Sequence, residues 1–496
     1  MKTLTAHTAP WLAFAVIAAA NLPAAALTGP ANAAPPSAAQ PPAPAGQTPD
    51  TRGPAAQNTQ TLRTLFEIAR GYDAPYRAAF AQVRASEAAV NEARAALLPQ
   101  VGFQAGIQGN RLVARANDRV ITGLNDVGLP TYGQAIGSNY AKSSEGINAT
   151  QALYRPAAKI TWDQAKRQSD IAQAQLTAAR QDLIVRLAQA YFDVLAAQDT
   201  LRYLRVLKDS VSQQLAMAQR NFEIGNANVT DSREAQARLA LTTAQEIAAA
   251  NDLHVKQLAL EQLVGKTGVH PRPLTGSANS PAASLKNPNV WTRRTVNAPI
   301  VQQARQALEI ARLEADKAKT GHLPTLDLQA SIGREQDPSA NPTSSIVSST
   351  GYHATLATIG VQFTWPLFAG GAVMARQRET QALTNKAQAE LDNALRSSTQ
   401  AARTAYFNLQ SGLEQVKALE AAQDASQAAL QANQLGYKVG VRTNIDVLNA
   451  QSELFQTQSN LARTRYDTLV GLLRLKQATG VLAPADLAQI DTLLVH

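Results

Sequence analysis

Few residues in this chain are spaced for covalent chemistry. The six His residues are scattered without a HExxH pair, and no GxSxG turn, phosphate loop or dinucleotide fingerprint is present. The absence of Cys excludes a thiol nucleophile, a thiolate metal site, a disulfide framework and a lipidated N-terminal Cys. The expectation is a protein that is not an enzyme and needs no metal or cofactor. Charge is instead grouped in two similar segments. Phe222-Glu223-Ile224-Gly225 precedes Thr230, Asp231 and Glu234, and Tyr437-Lys438-Val439-Gly440 precedes Arg442, Asp446 and Asn449. Gly225 and Gly440 can adopt the left-handed backbone that ends a helix. Asp231 and Asp446 then stand near the start of the next helix, where the helix dipole favours negative charge. By residue type alone, each Asp reads as a cap. The three-residue step from Asp231 to Glu234 puts both on one helix face.

The elements holding these segments come twice. At an offset of about 215 residues Gly225 recurs as Gly440, Asp231 as Asp446, Ala235-Gln236 as Ala450-Gln451 and Leu239 as Leu454. Ala190-Tyr191-Phe192 answers Ala405-Tyr406-Phe407, Gly265 answers Gly480, and Leu98-Pro99 answers Leu323-Pro324. Because Tyr, Phe, Gly, Pro and Asp are shared, an Ala-rich composition does not explain the match. In each copy a first helix, 62–97 or about 298–320, stops before the Leu-Pro pair, since Pro disfavours helical geometry in its predecessor. A strand pair follows. Residues 157–222 hold no Pro or Gly and 372–435 only Gly412, which predicts helices on the order of 95 Å long. Return helices follow at 230–264 and 445–479. Leu183, Leu187, Ala190, Val194 and Leu201, like Leu448, Leu454, Leu461 and Leu469, have the spacing of coiled-coil packing.

The strands separate a membrane protein from a soluble bundle. Val101, Phe103, Ala105 and Ile107 alternate with Gly and Gln, and Leu326, Leu328, Ala330 and Ile332 with Asp, Gln and Ser. Ile359, Val361, Phe363 and Trp365 alternate with Gly, Gln and Thr; Gly146 to Tyr154 is a weaker version. Apolar-out, polar-in strands ending near an aromatic fit a transmembrane β-barrel, while alternation alone also fits a half-buried soluble sheet. One chain offers four strands, whereas the smallest membrane barrels have about eight. Lipid cannot face an open sheet edge, because each unpaired peptide group costs several kcal/mol, so such a barrel is shared between chains. Two chains would give about eight strands and three about twelve, and only the larger leaves an appreciable lumen. The polar segments 109–145 and 333–354 read as exposed loops.

Residues 1–33 read as a signal peptide, with Lys2, an apolar run from Trp11 to Ala20 and small residues for cleavage. Residues 34–60 are a Pro- and Ala-rich linker without the apolar surface to order itself. The first repeat spans 61–270, a linker 271–297, the second repeat 298–480 and a C-terminal tail 481–496. No later stretch reaches about 18 consecutive apolar residues, which argues against membrane helices. The net charge of +9 comes from 46 basic residues interspersed with 37 acidic ones, without the concentrated patch that nucleic acid needs.

A leader, a tandem repeat, these strand pairs and two very long helices per chain together resemble the TolC family of outer-membrane export ducts. The matching stretches are Tyr154-Arg155-Pro156, the Trp365 to Gly371 string WPLFAGG, Gly225 to Gln236, and the Gly436 to Gln451 string GYKVGVRTNIDVLNAQ. The resemblance implies a mainly α fold with membrane β: a homotrimer sharing a twelve-stranded β-barrel in the outer membrane, continuous with an antiparallel coiled-coil tunnel through the periplasm. It further implies a periplasmic adaptor, an inner-membrane ABC or RND pump, and passive conduction of protein or small-molecule cargo. By the same resemblance Tyr437, Arg442 and Asp446 form the inner constriction, and Thr230 and Asp231 receive its hydrogen bonds and salt bridges. Threefold symmetry would bring three Asp446 carboxylates to the axis, where they attract cations. The chain departs from one version of the pattern at Asn449, where that version has a second acid; cation preference is therefore expected to be retained but weaker, unless Glu234 also faces the lumen. Trp365 fits a membrane-interface aromatic. The rival readings are a soluble periplasmic coiled-coil adaptor and a secreted enzyme.

Overall fold

The computed structural model describes residues 60–124, 130–225, 228–273, 287–337 and 352–492, with side chains at 112–140 left aside. The expected signal peptide and nearly all of the linker after it lie outside the described residues. The elements are α1 (Leu62–Tyr72), α2 (Ala74–Ala95), β1 (Gln100–Leu124), β2 (Pro130–Tyr154), α3 (Pro156–Glu223) and α4 (Val229–Val264). They continue with α5 (Pro288–Arg294), α6 (Pro299–Lys319), β3 (Thr325–Asp337), β4 (Tyr352–Thr364), α7 (Ala372–Lys438), α8 (Asn444–Ala478) and α9 (Ala485–Asp491).

At 68 and 67 residues, α3 and α7 each extend about 100 Å. Near the sheet they pack with α2 and α6; farther away α3 packs on α4 and α8, and α8 on α7, forming a layer in the order α4, α3, α8, α7. Of the expected seam, Leu183, Leu187, Val194 and Leu201 of α3 are buried, as are Leu448, Leu454, Leu461 and Leu469 of α8, while Ala190 is partly buried against the same core. Gly412 does not break α7. A Cβ there would stand 3.1 Å from Thr468 Oγ1, so its lack of a side chain permits close approach of α7 and α8.

Two expectations are corrected. The first helix is not continuous over 62–97 but breaks at Asp73, whose carboxylate accepts from the Tyr76 amide at 2.9 Å and from Arg186 Nη1 at 3.0 Å. A cap whose buried carboxylate also holds an ion pair competes successfully with helix continuation, and Pro75 in the new first turn suits it. Nor are 109–145 and 333–354 simply loops. β1 and β2 stay paired from Gln100↔Thr150 to Leu124↔Pro130, and β3 and β4 run to Asp337↔Tyr352. Polar residues do not end a strand whose backbone continues to pair with its hairpin partner.

The sheet is antiparallel in the order β1, β2, β3, β4, and within one chain β1 and β4 are open edges. Across it Phe103, Ile147, Ile332 and Ala357 align in one row and Val101, Ala149, Ala330 and Ile359 in the next. This face is exposed: Ile107 at 82%, Ile359 at 80% and Phe103 at 70%. The opposite face is polar, with Gln329 donating to Gln362, Ser331 bonded to Thr358 at 2.7 Å, and Arg155 paired with Asp327 at 2.8 Å.

The main core lies midway along the long helices, where α1 and α9 pack on α3, α4 and α8 around Phe66, Leu187, Tyr191, Phe192, Leu473 and Leu487. The last helix secures the start of the first: Asp491 of α9 accepts from the amides of Leu62 at 3.0 Å and Arg63 at 3.1 Å of α1. Among the described residues, no helix is long and apolar enough to cross a membrane.

Candidate gate at the glycine turns

The long helices leave the sheet and reverse direction at the glycine motifs, which therefore form the end of the bundle farthest from the strands. Gly225 at φ +77° and Gly440 at φ +79° make the left-handed turns that a side chain would strain. Gly436 has a separate role, because a Cβ there would meet Arg442 Cγ at 2.6 Å. Its bare backbone also accepts the amides of Val441 and Arg442.

The helices after the turns are capped differently. Asn228 caps α4 by accepting from the Thr230 amide at 3.3 Å. At α8, Thr443 and Asp446 form a reciprocal capping box: the Thr443 amide and hydroxyl donate to Asp446 Oδ2 at 2.9 and 2.8 Å, and the Asp446 amide donates back. The bonds from Thr443, together with the nearby Arg442 charge, hold the Asp446 carboxyl below the usual carboxylate range. Asp446 thus has the capping role its position suggests, while keeping its negative charge.

Near the tips, four side-chain bonds tie the two helical hairpins together. Asn444 is fully buried, accepts from Gln214 Nε2 at 2.6 Å and donates to the Asp231 carbonyl at 3.1 Å. Asn221 Nδ2 donates to Tyr437 Oη at 3.3 Å, and Arg238 Nη2 to Asn449 Oδ1 at 3.2 Å. The structure thus brings Tyr437, Asn449 and the Asp231 backbone into the contact between the hairpins. Thr230, Glu234 and Arg442 are exposed, and the side chains of Asp231, Glu234 and Arg442 make no ion pair among the described residues of one chain. Asn444, Gln214, Asn221 and Arg238 were not singled out from sequence. Asn444 stands inside the NIDVLNAQ string, but its partner lies 230 residues away.

At the other end of α7, Trp365 follows β4, 55% exposed, and its Nε1 donates to the His322 carbonyl at 3.1 Å. Leu367 and Phe368 beside it are 78% and 89% exposed.

A family model described as "Outer membrane efflux protein" matches residues 73–266 and 293–481. The chain belongs to the outer membrane efflux protein family. It is 30% identical over 448 residues to outer membrane protein TolC of Vibrio cholerae, covering 87% of this chain and 93% of that protein. It is 32% identical over 327 residues to the alkaline protease secretion protein AprF of Pseudomonas aeruginosa, covering 64% of this chain and 66% of that one. The solved outer-membrane channel OprN superposes with a TM-score of 0.68 at 20% identity, over 84% of this chain and 89% of that one. The outer membrane protein VceC of Vibrio cholerae gives 0.68 at 18%, over 84% and 96%. This efflux-family protein is accordingly an exit duct of the outer membrane with a periplasmic helical tunnel, and its four strands are one chain's share of a barrel. The soluble-adaptor reading is set aside, since the match spans strands and helices of both halves. The family is one of channels rather than enzymes.

Proposed function

We propose that three copies of this chain form a twelve-stranded barrel above one helical tunnel, held shut at its periplasmic end by the residues around Gly225 and Gly440. The observation that carries this is the open-edged sheet with an exposed apolar face, joined directly to helices of about 100 Å. Residues 1–33 act as the export signal, and Trp365 with Leu367 and Phe368 sits at the periplasmic membrane interface. Tyr437, Arg442 and Asp446 form the constriction; Arg442 and Asp231, which make no ion pair among the described residues of one chain, pair between neighbouring chains. A few charged hydrogen bonds per chain, at about 1.5–3 kcal/mol each, suffice to keep the resting duct closed.

The tips carry an apolar surface, with Ile224 67%, Val439 66% and Val441 76% exposed. A periplasmic adaptor that bridges to an inner-membrane ABC or RND pump covers it. The cargo is a secreted protein, a choice favoured by the relative named for protease secretion. A small-molecule or drug cargo is the outcome if a deletion strain retains full protein secretion but becomes sensitive to such compounds.

The test is planar-bilayer conductance of the detergent-extracted protein beside Arg442→Ala and Asp446→Ala. A small wild-type conductance, enlarged by the first change and altered in ion selectivity by the second, is expected. Unchanged closed-state conductance in Arg442→Ala would refute the latch.

A further inference from the structure

We propose that the tunnel wall carries an anion-binding belt partway along its length, in which Lys256, Arg463 and Arg474 of each chain hold carboxylate or phosphate groups of passing solutes. The belt rests on the reading of this chain as a shared duct.

A groove of about 1090 Å³ crosses the whole α4–α3–α8–α7 layer. On α3 it is lined by Gln189 and Asp193, whose positions face away from buried Leu187, Tyr191 and Leu195. On α7 the lining Thr404, Asn408 and Gln415 lie opposite buried Tyr406 and Leu413, which pack on Trp291 of α5. The covering helices α1, α5 and α9 thus occupy one face of the layer and the polar groove the other. When such layers close around an axis, the covered face lies outside and the groove lines the lumen.

The groove holds three cations, Lys256, Arg463 and Arg474, against two carboxylates, Asp193 and Asp467, leaving one positive charge per chain. The cations are loosely held. Lys256 stands 3.4 Å from Asp193, and Arg463, with its side chain 80% exposed, stands 3.9 Å from Asp467. Arg474 donates to the neutral Gln189 at 2.9 Å, and Gln189 in turn donates to Asp193 at 2.8 Å. Exposed ion pairs of this kind contribute little, so a ligand anion can replace them. Two guanidiniums offer the planar donor pairs that fit carboxylate and phosphate. Beside them α7 presents no charged group, its polar lining being uncharged, with Gln400, Thr404 and Asn408 among it. Burial, with Asp193 nearby, pushes the Asp467 carboxyl above its usual range, so acidification makes the belt more cationic.

The experiment uses the full-length protein in planar bilayers, with inorganic tripolyphosphate added from the barrel side as the probe. Wild-type current should fall with added probe. The exposed-site change Arg463→Glu, which leaves the buried faces untouched, should demand about tenfold more probe, the equivalent of one charge-assisted hydrogen bond. The triple change Lys256→Gln, Arg463→Gln, Arg474→Gln should abolish block. A conducting wild-type channel that the probe does not block, or equal block in Arg463→Glu, overturns the belt while leaving the duct intact. Extracted protein that forms no channel overturns the duct reading, and the belt with it.

Discussion

The guanidinium of Arg238 donates to the side-chain oxygen of Asn449, joining the return helices of the two copies one turn beyond Asp446. A cation therefore stands beside the position where a related pattern has a second acid, which lowers the local negative potential twice over. Asn449→Asp would add a carboxylate, and Arg238→Gln would remove a positive charge. Both changes should move the reversal potential toward that of the cation, the second without adding an acid. If neither moves it, these residues lie off the conduction path.

Asn444 joins the hairpins from a fully buried position. Asn444→Ala would leave the buried Gln214 Nε2 without its partner, at a cost of about 1–3 kcal/mol, and remove the link to the Asp231 carbonyl. Loss of this link should loosen the end of the bundle while sparing the core around Tyr191. The check is limited proteolysis at the glycine turns together with closed-state conductance, both of which should rise. Conductance equal to wild type would confine Asn444 to a packing role.

Asp446 provides a pH test with a definite sign. Its carboxyl is held below the ordinary value of 3.8 by Thr443 and Arg442. A depressed carboxylate contributes fully above its unfolded value and loses that contribution as pH falls through the folded one. Cation preference should therefore be flat from neutral pH down to the ordinary carboxylate range and decline only below it. Thr443→Val removes the hydroxyl bond, so the decline should begin at higher pH. Coincident titration curves for wild type and Thr443→Val would mean that another group sets the selectivity.

Much of this architecture is legible because it is written in local signals. Leu-Pro pairs mark helix ends, Gly225 and Gly440 mark the tips, and period-two alternation marks the four strands. The break at Asp73 has a local signal too, in Gly71, Asp73 and Pro75, but the surrounding helical periodicity outweighs it unless the Arg186 pairing is known. The extension of β1 and β2 through polar sequence escapes a reading based on apolar faces, since backbone pairing sustains it. The bonds of Asn444 to Gln214 and of Arg238 to Asn449 escape for a different reason. They join residues more than 200 positions apart, and no single-chain periodicity records which polar side chains meet.

Tyr191 gives the last test, far from both the glycine turns and the sheet. Its ring is buried in the main core, stacked edge-on to Phe192 at 5.5 Å. Its hydroxyl accepts from the Arg272 amide at 2.8 Å and lies 3.2 and 3.3 Å from the carbonyls of Arg272 and Gln60. One phenol thus pins the start of the described chain beside the segment that follows α4, where the Gln60 amide also donates to the His270 carbonyl at 2.9 Å. Burial raises the Tyr191 pKa well above that of a free phenol, so the group stays neutral and keeps its proton throughout the physiological range. Tyr191→Phe preserves the packing but removes the bond from the Arg272 amide, at a cost of about 0.5–1.5 kcal/mol. Thermal dissociation of the assembled protein should occur at lower temperature, and protease cleavage near Pro271 should accelerate. Conductance and selectivity should stay at wild-type values, because the hydroxyl faces the covering helices rather than the lumen. A variant with altered selectivity and unchanged thermal stability would place this face of α3 inside the tunnel and reverse the assignment of its two sides.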